Sequence, residues 1–269
     1  MKTVNINFQE IQKQKRYRKT LIKTSVYLII FGAIIFGTIR LVFYSSFLRF
    51  DEIVINNIPE DKKDVLLAFL KTKIETGPFL IRTLGTNNFL SWPSNLSGKD
   101  LESMPSVESL EIKKNYSDNS LVINVVEREP FAIWCLKKNL PERCFWFDEK
   151  GIVFRQAPVT SGNIIKIISD YTQDNLAVNT KILPEEFLPN FLSILNVLSL
   201  SGLNSRDIAI KDLALQEVEV SLSQGPEIYF SLRHDSKNYL KAIQSLANHL
   251  KLSNLKYIDL RTENRIYYR

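Results

Sequence analysis

Apolar residues in this chain change their spacing twice, and each change marks a different kind of element. The first regime is continuous. No residue between Thr24 and Ile39 is charged, and after Arg40 the run resumes with Leu41-Val42-Phe43-Tyr44. A bilayer core calls for about 20 mostly apolar residues in a helix. Residues 21–44 meet that length, with Lys23 and Arg40 reaching to the two interfaces. The second regime mixes alternation with helical spacing. Residues 50–55 alternate like a strand and Asn56-Asn57 follow as a turn. Pro59-Glu60-Asp61 opens a helix, with Val65, Leu66, Phe69 and Leu70 on its apolar face. A second helix is predicted over 97–104, capped by Ser97 and stopped before Pro105. Strands are predicted at 107–113 and 121–126 around a turn at Asp118-Asn119. The order is β-α-α-β-β.

The third regime is richer in strands. Residues 132–136 and 144–148 read as two arms of a hairpin, and 152–154 as a further short strand after the turn Glu149-Lys150-Gly151. A buried strand is predicted at 164–168. Phe187, Leu188, Phe191, Leu192, Leu195 and Leu198 give 184–200 one apolar helical face, and Gly202 suits its end. Strands follow at 213–222 and 227–232. Asp235 or Ser236 is the expected cap of a helix to Leu250, and 257–260 and 265–268 close the chain as two strands. The expected fold class is α+β.

Charge orients these elements. Residues 1–23 carry Lys2, Lys13, Lys15, Arg16, Arg18, Lys19 and Lys23 against Glu10 alone, so the whole formal excess of +6 precedes the apolar run. Basic residues beside a span stay on the cytoplasmic side. The expectation is a basic cytoplasmic tail (1–20), a span (21–44) and an extracytoplasmic remainder. Because that remainder is neutral, the basic balance fixes topology and does not indicate nucleic-acid binding. The residues after the run, Val42-Phe43-Tyr44-Ser45-Ser46, lack the small-x-small pattern of a cleaved signal peptide.

Catalytic chemistry leaves little trace. His234 and His249 have no ligand-spaced partners, and no Gly-rich phosphate loop or paired Cys-x-x-Cys is present. Glu127, Arg128 and Glu129 read as a strand end at a domain junction. Cys135 and Cys144 sit near the inner ends of the hairpin arms. On an oxidising side of the membrane they form a cross-strand disulfide; the alternative is a pair of buried thiols packing as small hydrophobes.

The order and spacing of these elements resemble the bacterial cell-division protein family FtsQ/DivIB. The resemblance runs over nearly the whole chain: a basic tail and a single span, then Phe50-Asp51-Glu52-Ile53-Val54-Ile55-Asn56 and Pro105-Ser106-Val107. The junction stretch Val126-Glu127-Arg128-Glu129-Pro130-Phe131-Ala132-Ile133-Trp134 follows, then Trp146-Phe147-Asp148-Glu149-Lys150-Gly151-Ile152-Val153-Phe154 and the closing Tyr257-Ile258-Asp259-Leu260-Arg261-Thr262-Glu263-Asn264-Arg265-Ile266. The cysteine pair is not part of that pattern, and 82–97 is longer and less regular than it. The resemblance implies a POTRA-type domain over 45–128 and a C-terminal β domain over 129–269. It also implies a non-enzymatic scaffold at the division septum, without cofactor, metal, small-molecule substrate or nucleic acid. The implied partners are other membrane-anchored division proteins, among them a small single-span coiled-coil protein. Two other classes compete: a membrane-anchored cell-wall enzyme with an unrecognised active site, and a POTRA-bearing secretion component.

The expected partner site is the last strand, Arg265-Ile266-Tyr267-Tyr268-Arg269. With no later strand to pair with, its outer edge is expected to be open to a partner strand. The bland alternative is that its tyrosines cover the domain's own core. Proline at Tyr267 would probe the edge if that N–H faces outward.

Orientation is directly testable. Topology reporters fused after Leu48 and at Arg269 should be active only outside the cytoplasm; cytoplasmic activity at both positions would overturn the charge argument.

Overall fold

The computed structural model describes residues 8–160, 165–250 and 252–269. It is a mixed α+β structure with one N-terminal apolar helix, α1, Phe8–Tyr44. Its segment Arg16–Phe43 is long and apolar enough to cross a membrane, and none of its most apolar window is buried in protein. The helix therefore starts well before the expected span. Residues 1–7 of the basic tail lie outside the described residues.

The chain divides into two compact units: the described part of Met1–Asn95 with Glu111–Val125, and Leu96–Leu110 with Val126–Arg269. In the first, strand β1 (Glu52–Asn56) leads into helix α2 (Glu60–Glu75) and the short helix α3 (Phe79–Leu84). A short strand β2 (Asn95–Ser97) and two long strands, β3 (Val107–Asn115) and β4 (Ser120–Glu127), complete a four-stranded sheet in the order β1-β4-β3-β2, of which Leu96–Ser97, Val107–Leu110 and the end of β4 are counted with the second unit. β1 runs parallel to β4, with Glu52 opposite Ser120 and Asn56 opposite Asn124.

Two local expectations fail here. The buried stripe of α2 is Leu66, Leu70 and Ile74, four residues apart, which turns Val65 out to 63% exposure. No helix forms over 97–104. Ser97 closes β2 in extended conformation, and Gly98 sits at φ +55°, outside the right-handed region, so only a 3₁₀ turn, Gly98–Leu101, follows. The second helix of the unit is instead α3. The irregular stretch after it is well packed: Phe89 and Trp92 are buried against Phe50 at ring distances of 5.2 and 5.9 Å.

The second unit is built on a nine-stranded mixed sheet. Its strands are β5 (Ala132–Leu136), β6 (Arg143–Phe147), β7 (Val153–Ala157), β8 (Ile167–Asp170), β9 (Ser205–Ile210), β10 (Glu217–Leu222), β11 (Glu227–Ser231), β12 (Tyr257–Leu260) and β13 (Tyr267–Tyr268). They lie in the order β13-β12-β11-β10-β9-β8-β5-β6-β7. Helices α4 (Leu188–Ser201) and α5 (Tyr239–His249) supply apolar side chains to its main core. Trp134 of β5 meets Phe191 of α4 edge to face at 5.4 Å, and its indole N–H donates to buried Asp170 at 3.0 Å.

Several boundaries shift for identifiable reasons. The 164–168 strand becomes β8, ending in Ser169 and Asp170; its expected start at Ile164 lies outside the described residues. α4 starts at Leu188, with Pro189 in its first turn. β9 is an addition. The 213–222 strand loses its start to a 3₁₀ turn, Leu213–Leu215, capped by Asp212. Neither Asp235 nor Ser236 caps α5: Asp235 accepts from Ser193 Oγ and Lys237 N, and the buried Ser236 hydroxyl has no partner.

The side chain of Arg128 is only 8% exposed. Its Nη1 donates to Asp148 Oδ2 at 2.5 Å, its Nε to Pro105 O at 3.0 Å and its backbone N–H to Ser106 O at 2.8 Å. Asp148 Oδ1 in turn accepts from the N–H groups of Lys150 and Ile152. The middle residue of the Glu127-Arg128-Glu129 run is thus a structural clamp.

Cys135 and Cys144 lie directly opposite each other on β5 and β6 and are joined by a disulfide. They pack with Ile133 and Ala157 in a small cluster separate from the main core. Closing a loop of nine residues is worth about 2.5–3 kcal/mol by the chain-entropy estimate. Replacing both cysteines by alanine should therefore lower the free energy of unfolding measured by urea titration by about that amount, and with it the midpoint. Reducing the wild-type protein should have a similar effect; an unchanged midpoint in both would show that the bridge stabilises nothing.

Candidate functional site

The two rims of the large sheet are finished differently. At the β7 rim a loop pairs with the start of the strand: Val153 N–H donates to Thr180 O at 2.9 Å, Asn179 N–H to Val153 O at 2.7 Å, and, just before the strand, Ile182 N–H to Gly151 O at 3.0 Å. At the other rim lies β13, the strand expected to bind a partner. It pairs antiparallel with β12, Tyr268 opposite Ile258 and Tyr267 opposite Asp259. Arg269 completes the pairing, donating to Tyr257 O at 3.3 Å and accepting from Lys256 N–H at 2.5 Å.

This register decides which groups face outward. N–H and C=O of one residue point to the same side of a strand, and the side alternates residue by residue. Arg269 points at β12, so Tyr267 does too, and Tyr268 presents its N–H and C=O outward. The outward donor thus belongs to Tyr268, and Tyr267 is the wrong place for a proline probe. The side chains divide as well. Ile266 is half-buried against the main core, whereas Tyr267 and Tyr268 remain 47% and 53% exposed. Arg265 and Arg269 are exposed, and Arg265 Nη1 reaches the Tyr267 hydroxyl at 3.4 Å.

Two groups that sequence reasoning missed hold the rim in place. One is a tether from α5. The Tyr239 hydroxyl donates to Thr262 O, in the turn before β13, at 3.0 Å. Its single proton being spent there, the 3.1 Å contact with His234 Nε2 requires that nitrogen to be the donor. Burial pushes the Tyr239 phenol up from its ordinary value. His234 thus has a structural place; His249 Nδ1 meets Ser245 O one turn back in α5.

The other is a charged cluster on neighbouring strands. Arg261 grips Asp259 with two hydrogen bonds, Nε to Oδ1 at 2.9 Å and Nη2 to Oδ2 at 2.6 Å, and reaches Glu217 Oε2 at 2.9 Å. Its guanidinium lies 5.1 Å from the centroid of the Tyr229 ring. The Arg261 bonds hold Asp259 below the usual carboxylate range, and those carboxylates in turn raise Arg261. A hydrogen bond to Glu227, burial and the neighbouring carboxylates push the Tyr229 phenol up to about 12. Glu219, Tyr229, Asp259 and Tyr267 stand opposite one another in successive strands, forming one row to the rim. The alternation of Tyr257-Ile258-Asp259-Leu260-Arg261 was the available signal, since it puts Asp259 and Arg261 on the face opposite the core.

Among the described residues no group of three or more His, Cys, Asp or Glu is placed to hold a metal ion. No protein-family model and no curated protein matches the chain.

Asp259 gives a pH test. Its folded-state pKa is depressed, so its contribution to stability is fully present above the ordinary value of 3.8. That contribution is lost as pH falls through the lower folded-state value. Asp259→Asn should therefore destabilise the protein at neutral pH, and the difference from wild type should shrink in acid below pH 3.8. Thermal melts that differ by the same amount at both pH values would contradict this.

Proposed function

We propose that this chain is a non-enzymatic, membrane-anchored scaffold of the bacterial division machinery, of the FtsQ/DivIB kind. In this reading α1 crosses the inner membrane with its N-terminus in the cytoplasm, and the rest of the chain stands outside, at the septum. The strands and helices β1, α2, α3, β3 and β4 form its POTRA-type domain, with the short β2 added. The nine-stranded unit carries the partner-binding edge. The small single-span coiled-coil protein of the division complex adds a strand beside β13.

The observation that carries this reading is the contrast between the rims. The start of β7 is paired by the chain's own loop at Val153, while β13 turns the Tyr268 backbone and half of two tyrosine side chains toward solvent. Aromatic and arginine side chains at such an edge are the types that dominate interfaces. A peptide strand gains main-chain hydrogen bonds there, and the tyrosines supply contact area and selectivity. Arg265 and Arg269 discourage indiscriminate pairing. Ile266 fixes β13 to the core beneath, so the edge is presented on a supported strand.

Tyr268→Pro removes the outward donor and leaves the Arg269–Tyr257 bond in place. It should weaken co-purification of the coiled-coil partner without changing the circular dichroism of the protein. Deleting residues 266–269 should weaken it further. Wild-type recovery of the partner with both changes would defeat the edge-pairing mechanism.

A further inference from the structure

The first unit exposes apolar side chains where its packing brings it against the end of α1. Phe47 is 62% exposed, Phe79 66%, Leu80 74% and Leu90 47%. Isolated exposed apolar residues are ordinary; a group of them beside a candidate span is not.

Hydrogen bonds place them there. Asn88 Nδ2 donates to Val42 O at 3.0 Å, and Arg49 Nη2 to Phe43 O at 2.9 Å, so both clasp the last turn of the apolar helix. Arg49 also bridges to Asn88, and Phe50 N–H donates to Asn87 O. The loop that bears Asn88 is closed on itself: Ser91 Oγ donates to Gly85 O at 2.7 Å and Trp92 Nε1 to Thr86 O at 2.8 Å. Ser91 also reaches Ile81 O, which joins α3 to the loop. Phe47 stacks on Tyr116 at 5.4 Å, and Tyr116 meets buried Phe89 at 4.7 Å. Phe47, α3 and Leu90 therefore belong to one packed body fixed to Val42 and Phe43.

Those two residues end the segment that is long and apolar enough to cross the membrane. We propose that Phe47, Phe79, Leu80 and Leu90 seat in the interfacial layer of the lipid bilayer, so that the first unit rests on the membrane surface instead of swinging from the helix. The occupant is lipid because the segments that bear these side chains are fixed to the last turn of the apolar helix. Interfacial side chains sink about 5–10 Å into the boundary between headgroups and acyl chains. Arg82, whose guanidinium lies 5.9 Å from the Phe79 ring centroid, and Arg49 suit the headgroup level around them.

The inference rests on the reading of α1 as a membrane span, and the test separates the two. The native cysteines are bonded to each other, so a thiol-reactive nitroxide marks only an introduced cysteine. Phe79→Cys, Leu80→Cys and, as a control inside the span, Phe31→Cys are labelled in the full chain. Each is reconstituted in vesicles of phosphatidylethanolamine and phosphatidylglycerol. Relaxation by oxygen, which concentrates in lipid, is compared with relaxation by a water-soluble nickel chelate. Labels at 79 and 80 should be relaxed more by oxygen than by the chelate, at a shallower depth than the label at 31. A deep label at 31 with water-exposed labels at 79 and 80 overturns the seated patch and leaves the span standing. Water exposure at all three positions overturns the span and the patch together.

Discussion

Backbone N–H and C=O groups at the rim of an open sheet have no neighbouring strand to bond, and the second unit is organised around that constraint. Nine strands give it two rims. All five residues of β5, between β6 and parallel β8, are buried, whereas β10 and β12 alternate buried and half-buried positions and leave one face open. The strand order is open, so its two ends are handled one by one. At β7 the loop around Asn179–Ile182 supplies partners to Val153, the first residue of the strand. At β13 the strand is cut to two residues, flanked by arginines and tied by Tyr239 to α5. Short length and flanking charge are ways of blunting an edge without covering it.

The same constraint ranks the polar groups of the unit. Asp148 and Asp170 are buried, as is most of the Arg128 side chain, and each is satisfied several times over, by backbone donors and acceptors as well as by side chains. Such groups are expensive to strand without partners, so they define one arrangement of the loops around them. The cluster of Asp259, Arg261 and Glu217 is different. It lies on the open face of the sheet, where solvent moderates each pair. Its contribution is to stiffen strands β10 to β12 beneath the rim.

What could be read from the sequence followed the strength of its periodicity. The apolar run of α1, the hairpin of β5 and β6, and the helical stripe from Phe187 to Leu198 are long or regular, and their elements lie where the pattern put them, with ends shifted. Short elements were harder. β9 has three buried residues, Ile208, Ala209 and Ile210, behind an exposed polar start, too brief a signature to stand out. The false helix at 97–104 had a good cap and a good stop. It failed because the left-handed conformation at Gly98 breaks helical geometry at once. Within the candidate site, β13 was legible as a closing strand. The facing of its donors was not, because parity depends on the register with β12, which only the fold supplies. Arg128 looked like one charge among three, and nothing local announces a partner twenty residues away.

Helix α1 has a mechanical consequence. At about 1.5 Å per residue, its 37 residues form a rod of about 55 Å, well beyond the roughly 30 Å of a hydrocarbon core. The surplus lies mostly on the basic, N-terminal side. At the other end Arg49 and Asn88 hold its final turn to the first unit, leaving no slack segment between them. A joint of this kind transmits torque. With α1 read as a membrane span, rotation or tilt imposed on the rod at its N-terminal end would arrive at the other end as a reorientation of the body that Arg49 and Asn88 hold.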